Sequence, residues 1–279
     1  MLLYVVRHAQ SESNVKVTGA GKDSRLTQLG RRQAQAVAAR LAEIGIDRVL
    51  ASPYTRALET AEAIRQATVG AALRPLPGRL QSLCTPRAVL SPDAGVPAGI
   101  VPLLHEHHVE ALASDRAEDW PLMSRTVLAE RYPHFELPAD FAFDPKWHDI
   151  PEEDAAVVRR GKRVLEDLWQ RFAAPPEGDQ NVKLALVTHG SPAGKLLMAV
   201  LGIDHPAGIA IRIDNASISI VDWSPTWKVL VASNRVDHLL HLEVDLKQQD
   251  PGTAPQGTQS LRSFEFPGDP GYPLPAEAP

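Results

Sequence analysis

The chain has 279 residues, 44% hydrophobic and 23% charged, the balance of a globular protein with room for one large domain or two small ones. A net charge of −5 supplies no global field to draw in nucleic acid or an anionic membrane surface, so neither is expected as a partner. No apolar stretch approaches bilayer-spanning length, and the single cysteine, Cys84, excludes an internal disulfide and suits a reducing cytoplasm, the expected compartment.

Residues 2–6 (Leu-Leu-Tyr-Val-Val) form a short apolar run that predicts a strand buried on both faces. No basic region precedes it, so it does not read as a targeting signal. Thr27 is the expected N-cap of a helix running to about residue 44 and closed by Gly45. Ala34, Val37, Ala38, Leu41 and Ile44 fall on one face of that helix. Residues 47–51 predict a second strand, and residues 55–68 a second helix.

Residues 71–151 differ: prolines are frequent, periodic runs are few, and aromatics are scattered through them. This stretch is expected to be an insertion over the C-terminal edge of the strands, with short helices near 109–115 and 123–132. Trp120, Trp147 and the nearby Phe residues would form its own core, and Cys84 would be a buried small hydrophobe. Residues 154–172 carry Val157, Val158, Gly161, Val164, Leu165, Leu168 and Phe172 at helical spacing. A strand over 183–187 and a helix from Gly190 and Pro192 to about residue 201 follow. Two further strands are expected at 216–222 and 228–232. From residue 248 the chain is rich in Pro and Gly and almost without aliphatics, so 248–279 is expected to be a disordered tail beyond a domain spanning 1–247. Strands alternating with helices predict a three-layer α/β/α sandwich around a mostly parallel sheet.

Unusual polar residues end three of the predicted strands: Arg7 and His8, Ser52 with Arg56, and Thr188 with His189. Ligands of open α/β sheets bind outside the carboxyl ends of the strands. Helix N-termini point there too, and their free N–H groups favour phosphate. Arginine suits such a site because its planar fork bonds phosphate oxygens in pairs and keeps its charge.

At these positions the sequence resembles the histidine phosphatase (phosphoglycerate mutase-like) superfamily. RHAQSESN at 7–14 is similar to the Arg-His-Gly block with its following Asn, SPYTRALETA at 52–61 to the second block, and VTHGSPAGKLL at 187–197 to the third. Weaker likenesses are LTQLGRRQA at 26–34, NASIS at 215–219 and SNRVDHL at 233–239. The resemblance implies a metal-independent phosphatase without cofactor, acting on a small phosphorylated metabolite. His8 would take the phosphoryl group, while Arg7, Arg56 and His189 clamp its oxygens and Asn14 lines the pocket. The family's general acid lies in a Leu-x-Glu segment, which Leu104-His105-Glu106 matches, so Glu106 is the expected acid, with Glu110 and Asp149 as alternatives. Ala9 replaces the usual Gly beside the nucleophile, a change expected to be tolerated.

The run from His105 to His108 lacks the His-Glu-x-x-His spacing that puts two imidazoles on one helical face, so no metal is expected there. Gly19 and Gly21 follow no predicted strand and read as a flexible loop. Two other readings stay open, a phosphoglycerate mutase and a catalytically silent phosphate-binding module. The mutase form of the first block carries Glu and Trp where this chain has Gln10 and Ser13, which favours hydrolysis. The sequence assigns no individual substrate and leaves the oligomeric state open.

Overall fold

A computed structural model describes residues 1–18, 23–68, 95–107, 124–139, 151–172, 182–204, 209–223 and 226–242. Cys84, His108, Glu110, Asp149, Trp120, Trp147, the two loop glycines, the helix expected near 109–115 and the tail from 248 lie outside them.

Seven strands form one sheet: β1 (Leu2–Arg7), β2 (Arg48–Ala51), β3 (Ala98–Ile100), β4 (Phe135–Glu136), β5 (Lys183–Thr188), β6 (Ile218–Trp223) and β7 (Lys228–Arg235). Their spatial order is β4-β3-β2-β5-β1-β6-β7. The pairings from β4 to β1 are all parallel, while β6 runs antiparallel to both β1 and β7. The apolar runs of β1 and β5 become the middle of the sheet because both their faces are covered.

Helices α1 (Gln28–Ile44) and α2 (Thr55–Ala67) pack with one sheet face through Val37, Leu41, Leu58 and Ile64. The short α3 (Arg125–Arg131) adds Leu128 to the same core. The opposite face is covered by α4 (Asp154–Phe172) and α5 (Gly190–Val200), which bury Val164, Leu168, Leu196 and Leu197. The architecture is therefore the α/β/α sandwich that the alternating pattern predicts. Thr27 caps α1 by accepting from the Gly30 amide at 2.9 Å. Gly45 ends the helix at φ 74°, a left-handed conformation that glycine adopts without a Cβ clash.

The described residues of the 71–151 stretch, expected as an insertion over the strand edge, supply β3 and β4, which extend the sheet beyond β2. Strands of three and two residues are too short to leave an alternating pattern. Tyr132 and Phe135, edge to face at 5.7 Å, consequently join the main core. Among the described residues, no helix is long and apolar enough to cross a membrane.

Candidate active site

Strands β2, β5 and β1 are neighbours, so their carboxyl ends bring Ser52, His189 and His8 together from distant parts of the chain. The nucleophile candidate sits on a loop that the fold holds firmly. The Ala9 amide donates to Thr60 Oγ1 at 3.1 Å, and the Gln10 amide to Gln33 Oε1 at 2.9 Å. The first turn of α1 presses against this loop closely enough that a Cβ on Gly30 would stand 1.9 Å from the Gln10 carbonyl oxygen. Ala9 is fully buried and its φ is not positive, so the backbone does not require glycine there.

The imidazole of His8 has both nitrogens assigned by their partners. Nδ1 lies 2.8 Å from the Ala9 carbonyl, which only accepts, so Nδ1 carries the hydrogen. Nε2 is then the lone-pair nitrogen, and it accepts from Arg56 Nε at 3.2 Å. Burial, followed by the charges of Arg56 and Arg7, holds this imidazole well below the ordinary histidine pKa of 6.5. His8 is thus neutral at pH 7.

His189 stands edge-on to His8, with ring centroids 5.1 Å apart. Its Nε2 lies 2.7 Å from Ser52 Oγ. Its buried Nδ1 makes no hydrogen bond and sits 3.3 Å from Glu106 Oε2. Burial, then Arg56 and His8, push its pKa well down too. Tyr54 packs edge-on against His189 and offers its face to the Arg56 guanidinium, 4.7 Å from the ring centre. The fixed positive charge of the site therefore resides on Arg7 and Arg56. Arg7 is buried and donates Nη1 to the Ile213 carbonyl at 2.8 Å.

Glu106 follows a 3-10 turn (Pro102–Leu104) after β3. Its Oε2 lies 3.3 Å from Arg56 Nη2, its Oε1 accepts from the His107 amide at 3.0 Å, and a quarter of its side chain is exposed. Nitrogens of His8 and His189 and an oxygen of Glu106 lie within 4.8 Å of one another, a donor set a metal could use. The Arg56 guanidinium bonds both His8 and Glu106, so a cation placed there would meet a fixed positive charge while an anion would be welcomed. In the His105–His108 run, both ring nitrogens of His107 are engaged, by Ser191 Oγ and the Glu152 carbonyl, each at 2.8 Å.

The structure thus brings His8, Arg56, Glu106 and His189 into one cluster, with the Arg7 charge close enough to act on both imidazoles. Asn14 stands behind it. Its Oδ1 accepts from the Ser11 amide and from Asn215 Nδ2, each at 3.0 Å, while Asn215 also donates to the His8 carbonyl at 3.1 Å. Sequence reasoning gave Asn215 no role, although it opens the NASIS run and precedes Ala216, a non-glycine residue at φ 58°. It also missed Asp23, which caps α2 across the fold by accepting from the Thr55 amide and hydroxyl at 2.5 and 2.7 Å. Burial pushes the Asp23 carboxyl up to about 6, against the pull of Thr55 and Arg56.

A family model described as histidine phosphatase superfamily (branch 1) matches residues 3–77 and 104–236. The chain is 29% identical over 253 residues to a probable phosphoglycerate mutase GpmB of Proteus mirabilis, covering 88% of this chain and 99% of that one. The protein of the same name in Cronobacter sakazakii is 28% identical over 243 residues, covering 85% and 94%. Among solved structures, Bacillus stearothermophilus YhfR superposes with a TM-score of 0.54 at 21% identity, covering 85% of this chain and 98% of that one. A mycobacterial glucosyl-3-phosphoglycerate phosphatase superposes with a TM-score of 0.51 at 22% identity, covering 84% and 99%. These structural likenesses are likenesses of fold.

Proposed function

The chain belongs to the histidine phosphatase superfamily, branch 1, and from that membership we propose that it is a metal-independent phosphomonoesterase of small phosphorylated metabolites, acting through a phosphohistidine on His8. The observation that carries this reading is the tautomer of His8: its Nδ1–H is tied to the Ala9 carbonyl, which leaves the Nε2 lone pair facing Arg56, with the His189 ring edge-on beside it.

In the first step Nε2 attacks phosphorus as the ester P–O bond breaks, and Glu106 in its acid form gives its proton to the leaving oxygen. Arg56 exchanges its bond to Nε2 for bonds to the phosphoryl oxygens, whose charge it shares with Arg7. His189 donates from Nδ1 to the same group if Ser52 supplies its hydroxyl hydrogen to Nε2, and the Tyr54 amide, 3.5 Å from Ser52 Oγ, favours that direction. In the second step the Glu106 carboxylate takes a proton from water. The water oxygen bonds phosphorus, the P–N bond breaks, and His8 returns neutral.

The relatives named probable phosphoglycerate mutase favour a second reading, isomerisation of phosphoglycerate. Against it stands Ser13, a small exposed side chain whose hydroxyl is shared with Ser11 and Ser24 at 3.0 and 2.9 Å. A bulky residue there would help keep water from a phosphorylated histidine, as a mutase requires. The deciding experiment supplies 3-phosphoglycerate with catalytic 2,3-bisphosphoglycerate and follows 2-phosphoglycerate against free phosphate, alongside a panel of phosphomonoesters and a His8→Ala control. Phosphate release that vanishes in the control supports the hydrolase. Isomerisation at least about ten times faster than release would establish the mutase, and no turnover of any ester would leave a phosphate-binding module.

A further inference from the structure

We infer that Arg160, paired with Glu152, is a positioning residue for Glu106; this rests on the reading of Glu106 as the general acid. Arg160 lies on the buried face of α4, between Val158 and Val164, and is 6% exposed. Its Nη1 donates to two backbone carbonyls at once, Leu103 at 2.8 Å and His105 at 2.9 Å. The other side of its fork meets the Glu152 carboxylate in a paired contact, Nε to Oε1 at 3.0 Å and Nη2 to Oε2 at 2.6 Å.

The intervening carbonyl, that of Leu104, accepts from Thr188 Oγ1 at 2.7 Å. Three consecutive carbonyls immediately before Glu106 are therefore held by side chains of α4 and β5. The segment has only the single 3-10 turn of its own, so these carbonyls need outside donors once buried. Immediately after Glu106, the His107 ring bonds Ser191 and the Glu152 carbonyl. Glu152 thus holds both ends of the arrangement, Arg160 through its side chain and His107 through its backbone. Glu106 is pinned on either side, and its carboxyl reaches Arg56 and His189.

A buried arginine is costly unless its charge is matched, and an apolar residue would pack α4 against the sheet more cheaply. What an apolar residue does not supply is two directed donors on one rigid plane. Proton transfer to a leaving oxygen requires the acid within hydrogen-bond reach of it, and a displacement of about 1 Å can cost about a hundredfold in rate. The bracket answers that requirement.

The test compares Arg160→Lys and Glu152→Gln with wild type on an alkyl phosphomonoester and on p-nitrophenyl phosphate, each variant alone and combined with Glu106→Gln. Lysine keeps the charge and loses the fork; the Glu152 change leaves Arg160 in place should the lysine variant fold poorly. Expected is a loss of kcat of about 10- to 100-fold on the alkyl ester, little change on the nitrophenyl ester whose leaving group needs no proton, and unchanged KM. On the Glu106→Gln background neither change should cost anything further, because its effect passes through the missing acid. Equal losses on both esters, or losses that multiply with Glu106→Gln, would show a merely structural pair and overturn the inference. A selective loss in Glu106→Gln with none in either bracket variant would overturn it while sparing the general acid. If Glu106→Gln itself lowers both esters equally, the general-acid reading fails and the inference falls with it.

Discussion

Arg56 donates its Nε hydrogen to Nε2 of His8, the nitrogen proposed to attack phosphorus. The guanidinium therefore holds the lone pair of His8, and it is the second cause, after burial, of the depressed His8 pKa. A positive neighbour disfavours the imidazolium, so removing it raises the pKa. Histidine NMR titration should find His8 neutral as the pH falls past the ordinary value of 6.5, protonating only well below it. In Arg56→Met the midpoint should move up. A midpoint that stays put, or moves down, would contradict the electrostatic account.

Glu106→Gln keeps the shape of the side chain and removes its proton. We expect kcat for alkyl phosphates to drop by about 10² to 10⁴, the usual worth of a general acid, and much less for p-nitrophenyl phosphate. Steady-state kinetics over esters of graded leaving-group pKa would display this as a steeper dependence in the variant. Identical slopes in the two proteins would move the role to another carboxyl, with Glu110 the next to change.

Exhaustive EDTA treatment should leave turnover intact, since Arg7 and Arg56 carry the positive charge that a metal would otherwise supply. Activity that disappears with the chelator and returns with a divalent ion would instead assign a metal to the His8, Glu106 and His189 donor set.

Asp23→Asn should change how stability depends on pH. The folded chain holds the Asp23 proton up to about pH 6, whereas the unfolded chain releases it near 3.8. The folded state binds the extra proton in that window, so this group's contribution to stability falls as the pH rises through it. Asparagine still accepts from the Thr55 amide and titrates nowhere. Denaturant unfolding should show the variant gaining on wild type by about 2 kcal/mol between about pH 4 and pH 7, most of the worth of the shift. A difference independent of pH would mean that Asp23 is ionised in both states.

Much of this site is legible in the sequence because each of its main segments combines a strand with the residues that follow it. Arg7 and His8, Arg56, and His189 each ride on a strand-helix junction, so locating the junctions locates the side chains. Glu106 was reachable through its Leu-x-Glu setting alone. What escaped depends on pairings that no local pattern encodes: Asp23 on Thr55, Asn215 on the His8 carbonyl, Arg160 on Leu103 and His105. Arg160 did leave a trace, a single arginine inside the apolar stripe of α4 between Val158 and Val164. Strands β3 and β4 left none, since they gain their form from pairing with β2 and with each other.

Strand β1 lies between β5 and β6, so it is made well before its partners at residues 183–188 and 218–222. Until those segments emerge, the segment that carries His8 is an apolar strand with two open edges, a form prone to pair with other chains. Closing it into the sheet is a contact of very long sequence separation, the kind that slows folding. A nascent chain stopped before residue 218 would hold His8 without the β6 partner, so the chemistry proposed for it becomes possible only late in synthesis.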